Sequence, residues 1–219
     1  MNISVPTNIN DITLEQYQKF SKVNTGKGQD EEFFIHKIIE IFCGVDLLTV
    51  SKFPLKDATE ISNEILDLIS QETPFQDRFT MDGIEYGFIP DLQAMTLGEY
   101  IDLEDSLKDV QSFHLSAAVM FRPVVKSFGD LYTIEPYTAD RKAQEAMKNA
   151  PTGIISTAIV FFYSIVKELL LVSQVYSKNQ LETMKTTAER DNSVKSMDGL
   201  TASMHYAEVI RQNIDILQS

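Results

Sequence analysis

The side chains in this chain that could do chemistry are three histidines, one cysteine and a run of carboxylates. A metal site on a helix needs histidine or carboxylate partners three or four residues apart. His36, His114 and His205 stand far from one another, and no His-x-x-x-His or Glu-x-x-His pairing accompanies them. Cys43 closes an apolar run beside Phe42, where a small buried thiol is the ordinary case, and no paired base can be named for it. Gly26 and Gly28 precede no Lys-Ser or Lys-Thr, so they make no phosphate loop. Glu99, Asp102, Glu104, Asp105 and Asp109 crowd one stretch, without the alternating spacing and central glycine of a calcium loop. They predict a solvated acidic face that steers basic partners. No catalytic residue, cofactor or metal ligand is therefore expected. A hydrolase built from dispersed carboxylates remains the remote alternative.

The elements that would position these residues are mainly helical. The longest apolar run starts at Pro151, a residue favoured in a first helical turn. On a helix of about 152–184, Thr157, Ser164, Lys167, Glu168 and Gln174 form one narrow polar stripe, so the rest must be buried. A membrane span is the rival reading, since a span takes roughly 20 apolar residues. Lys167 and Glu168 interrupt the run and no basic flank marks a cytoplasmic side, which favours a buried core helix. Earlier in the chain, Thr13 with Gln16 and Thr96 with Glu99 have the spacing of capping boxes. Asp30, Asp46 and Asp140 (or Thr138) are further caps, Gly44 a stop, and 55–70 another helix. Around 77–89 the period changes to two, and Asp82-Gly83 suits a two-residue hairpin turn. Residues 110–121 read as a helix that Arg122-Pro123 ends, followed by loop and short strand. The fold class is thus mainly α: a helical bundle around one long buried helix, with a minor β-hairpin.

The chain has 219 residues, 43% of them hydrophobic, enough for one core, and a net charge of −13 with no basic cluster. That balance argues against direct nucleic-acid binding. One cysteine excludes an intrachain disulfide, and the first residues lack the pattern of a signal peptide. Polar residues 186–199 predict a linker between a domain at 1–185 and an amphipathic helix at 200–219. On that last helix Val209, Ile210, Ile214 and Leu217 make an apolar stripe, the tentative interaction site.

Two stretches echo each other. VPTNINDITLEQY at 5–17 and IPDLQAMTLGEY at 89–100 each run from an aliphatic-proline pair to Thr-Leu-x-x-Tyr. Duplication of a unit and convergence of two good helix starts both account for this. A period near 83 residues is too long for a solenoid.

The order of these pieces, together with IPDL…MTLGEYIDLE, VMFRPV (119–124), YTIEPY (132–137) and FFYSI (161–165), resembles small virion structural and assembly proteins of tailed phages infecting Bacteroidota, the crAss-like phages among them. The resemblance covers most of the chain and carries no catalytic residues across. It implies a non-enzymatic role through protein–protein contacts, as a homo-oligomer with other phage structural proteins at the head–tail axis. A tail assembly chaperone absent from the mature particle is the alternative. The implied location is the host cytoplasm during assembly and then the virion, with no membrane partner.

Overall fold

The computed structural model describes residues 3–23 and 31–165. The chain divides into two compact units, Met1–Ala158 and Ile159–Ser219. Of the second, residues 159–165 are described, and they are helical. The linker at 186–199 and the stripe of Val209, Ile210, Ile214 and Leu217 lie outside the described residues, as does most of the expected 152–184 helix. Its described part, α8, runs from residue 152 to 165. Pro151 precedes it in an isolated bridge to Thr13.

The first unit opens with a 3-10 turn, Ile9–Asp11, and helix α1, Leu14–Val23. Helices α2 (Glu31–Cys43), α3 (Leu47–Val50) and α4 (Leu55–Ile69) follow. Gly44 takes φ +65°, which supplies the left-handed stop after α2. Asp46 caps α3, its side chain accepting from the Thr49 N–H. Ile9, Ile12, Phe20, Ile38, Phe42, Ile65 and Leu68 form one continuous core between α1, α2 and α4. Beside it, Ile35, Ile39, Val50 and Ala58 form a second cluster. Ile38, Ile39 and Ile65 are wholly buried, so each contributes about 1.5–3 kcal/mol relative to an exposed position.

The expected hairpin is present as β1, Arg78–Met81, and β2, Ile84–Phe88. Asp82 and Gly83 both have positive φ, 51° and 76°, as a primed two-residue turn requires. The sheet is larger than this hairpin, however. After α5 (Leu97–Ser106) and α6 (Phe113–Met120), the chain passes without a loop into β3, Phe121–Phe128, and back through β4, Leu131–Ile134. The four strands pair antiparallel in sequence order. Pro123 does not end the strand, for a geometric reason. Ile89 N–H donates to Met120 O at 2.9 Å, so the alternation of an antiparallel ladder puts the Tyr86–Pro123 pair at a position without hydrogen bonds. The missing N–H thus costs the β2 ladder nothing, while Pro123 O accepts from Glu135 N–H on the other side at 2.9 Å.

One face of the sheet is aromatic. Phe79 stacks on Tyr86 with ring centroids 5.4 Å apart, and Phe121 meets Phe79 and Phe88 edge-on at 5.2 and 5.4 Å. The opposite face carries Arg78, Gly87 and Arg122 side by side in register. The Tyr132 ring covers Gly87 so closely that a Cβ there would lie 2.5 Å from it. Helix α7, Arg141–Ala146, is capped by Asp140, and a 3-10 turn at Met147–Asn149 leads to α8. The architecture is therefore helical with a four-stranded antiparallel sheet.

Candidate interaction surface

The two echoing stretches build the same device. Asn8 and Asp91 each accept from an N–H two residues on and start a 3-10 turn. A Thr then opens a ten-residue helix in each case. Both capping boxes close: Gln16 N–H donates to Thr13 Oγ1 at 3.2 Å, and Thr13 N–H to Gln16 Oε1 at 2.9 Å. Glu99 N–H donates to Thr96 Oγ1 at 3.2 Å, and Thr96 N–H to Glu99 Oε2 at 2.7 Å. The box residue also reaches the far end of the next helix. Gln16 Nε2 donates to Ile41 O at 3.0 Å near the end of α2, and Glu99 Oε1 lies 2.7 Å from Arg122 Nη1, just past α6. Those second helices match as well. Ile35, Ile38, Ile39 and Phe42 are buried in one, and His114, Ala117 and Ala118 at the same spacing in the other, followed by Phe121 where β3 begins.

Glu99 departs from the acidic face expected of its stretch. It is 5% exposed, and its side chain is committed to Thr96 and Arg122. Burial by itself raises the carboxyl pKa, but the Thr96 N–H, the Thr96 hydroxyl and the Arg122 guanidinium outweigh it and hold the group below its ordinary value. No local spacing signals that partner, because Arg122 sits in another element. Asp102 accepts from Tyr137 Oη at 2.9 Å; burial and that bond push the phenol up to about 12. Asp109 caps the 3-10 turn Val110–Ser112, and Asp105 pairs with Lys108. Asp102, Glu104 and Asp105 are exposed, so an acidic surface exists, smaller than the sequence suggests.

His36 lies on α2 and His114 on α6, so neither approaches the other's helix position; His205 lies outside the described residues. His114 belongs to a buried polar network. Gln18 Nε2 donates to Val110 O at 2.9 Å and lies 3.2 Å from His114 Nδ1. Gln111 Nε2 returns to Gln18 O at 2.9 Å and Ser21 Oγ at 2.8 Å. Burial, then Lys148, lowers the His114 pKa, while Glu145 and a Gln111 backbone bond oppose them. Burial raises the pKa of the Cys43 thiol, the wrong direction for a nucleophile. Among the described residues no three His, Cys, Asp or Glu side chains converge on a metal position. A groove along α4 is lined by that helix alone, Lys56, Glu60, Glu64 and Asp67 included, with no nucleophile–base pair.

Surface chemistry of another kind is present. The β3–β4 hairpin turns at Gly129-Asp130, and Phe128 and Leu131, paired across it, are 87% and 76% exposed. Val125, at a register shift in β3, is 56% exposed. Pairing with β2 ends at Pro123, so the tip beyond it has one partner strand. No sequence rule singles out this apolar tip, because Pro123 masks the strand that carries it.

No protein-family model matches the chain, and no curated protein or solved structure matches it significantly. Among the described residues no helix is long and apolar enough to cross a membrane.

Proposed function

We propose that this protein is a non-enzymatic structural or assembly component of a tailed-phage virion, working through protein–protein contacts, in several copies, at the head–tail axis. The observation that supports it is the β3–β4 hairpin. A two-stranded ribbon is marginal in water on its own, and this one ends in bare Phe128 and Leu131. Covering each of those side chains on a partner contributes about 1.5–3 kcal/mol. A surface that gains by being covered suits an assembly protein better than a lone enzyme. The phage setting comes from the sequence resemblance, and with it the location in host cytoplasm and then particle.

Mass spectrometry of purified particles of the encoding phage tests this reading, together with a Phe128→Ser/Leu131→Ser variant. The chain should be present in several copies, and the variant should fold yet fail to enter particles. Absence from particles whose assembly requires the chain would favour the assembly chaperone instead. Normal particles formed by the variant would remove the hairpin from the argument.

A further inference from the structure

Helices α1 and α5 open matching units, yet their outward faces meet different surroundings. On α1 that face consists of Leu14, Gln18 and Ser21, which are 0%, 5% and 9% exposed. Gln18 and Ser21 are covered by the turn that leads into α6, through the bonds of Gln18 to Val110 and of Gln111 to Gln18 and Ser21, and Leu14 lies beside the bridge to Ala150. The same three positions on α5 are Leu97, Ile101 and Glu104. Leu97 is 75% exposed and Ile101 47%, and Glu104 is exposed with Asp105 beside it. Nothing in residue chemistry asks for two aliphatic side chains at helical i, i+4 spacing on an outer face, whereas a helix that docks a partner needs them.

We propose that this face of α5 docks a helical segment of another protein, one whose apolar stripe is flanked by lysine or arginine. Charge decides between that occupant and a second copy of this chain. If copies stacked as the α1–α2 and α5–α6 segments meet within the chain, the surface meeting α5 would be the start of α2. There, Glu31 and Glu32 stand where Val110 and Gln111 stand before α6. Two carboxylates would then face Glu104, with Asp105 beside it already paired to Lys108, and like charges so placed oppose binding. A segment with basic flanks reverses that sign. Leu97 and Ile101 supply the apolar seat and the exposed Glu104 carboxylate the orientation. The contact exists whether or not the chain belongs to a virion, so particle analysis and the following titration fail independently.

The test uses the full chain, 15N-labelled, and two synthetic amphipathic helical peptides with an identical leucine stripe, one flanked by lysines and one by glutamates. Amide shifts should map the lysine peptide to 97–105. Its binding should be about tenfold tighter than that of its twin, an advantage that shrinks as salt rises. Leu97→Ser and Ile101→Ser, both at exposed positions that spare the fold, should each weaken it about tenfold. Absent binding, or shifts spread over other acidic surfaces and indifferent to Leu97→Ser, would overturn the proposal. So would peptide-free self-association, seen by sedimentation, that Leu97→Ser abolishes, since the face would then belong to a second copy.

Discussion

Replacing Glu99 with alanine separates two roles that its counterpart Gln16 performs without charge. Both close a capping box and tie the start of one helix to the end of the next. In Gln16→Ala a few neutral hydrogen bonds are lost, a destabilisation of about 1–2 kcal/mol. In Glu99→Ala the same bonds go, and in addition Arg122 is left charged with a side chain only 12% exposed. Its Nε already has no partner among the described residues. Breaking a buried pair from one side costs about 3–5 kcal/mol, a large share of the roughly 5–15 kcal/mol that holds a domain. Urea denaturation of the two variants should therefore show Glu99→Ala the worse by about 2–3 kcal/mol. Glu99→Ala/Arg122→Met, which removes both charges, should regain most of that difference. The pH dependence has a fixed sign. The carboxyl is held below its ordinary 4.5 in the fold, so its contribution is full above that value and is lost as pH falls through the folded pKa. If Glu99→Ala is no more destabilising than Gln16→Ala, the buried pair carries nothing and the reasoning fails.

At Gly87 the perturbation is steric: Gly87→Ala should destabilise by about 1–3 kcal/mol through overpacking against Tyr132, and Tyr132→Ala should rescue part of it. Thermal melts in which the double variant sums the two singles would refute the contact. For His114, the folded pKa lies below the ordinary 6.5, so the unfolded chain binds the extra proton first and stability should fall as pH drops below 6.5. His114→Gln should flatten that part of the curve, and an unchanged slope would place the titration elsewhere.

What was legible in the sequence was local. Thr13, Thr96, Asp46 and Asp140 cap helices because a side-chain oxygen and an N–H two or three residues on need nothing else. Asp82-Gly83 turns a hairpin for an equally local reason, since both residues accept positive φ. What escaped depends on neighbours far along the chain. Pro123 reads as a stop until its place in the ladder is known, and with it went β3 and the exposed hairpin tip, while only the short strand after it was expected. Glu99 reads as one of five solvated carboxylates until Arg122 appears beside it. The faces of α5 could not be ranked either, because Leu97, Ile101 and Leu103 are alike in the sequence and only Leu103 is buried. The network around His114 joins residues roughly 90 positions apart, beyond any local pattern.

The bridge between Thr13 and Pro151 bears on the timing of folding. Leu14 N–H donates to Ala150 O at 2.9 Å and Thr152 N–H to Ile12 O at 2.8 Å, clasping elements separated by roughly 140 residues. Gly153 lies so close to Ile9 and Asn10 that a side chain there would strike both. A contact of such span adds to the contact order that slows a domain, and during synthesis it waits until the start of α8 has left the ribosome. Until then the edge of α1 around Leu14 is bare, while α2 and α4 can already pack on its other side. A nascent chain halted before residue 150 therefore offers the cell an apolar edge that the finished protein hides, and chaperone occupancy on such chains should drop once residue 152 is free.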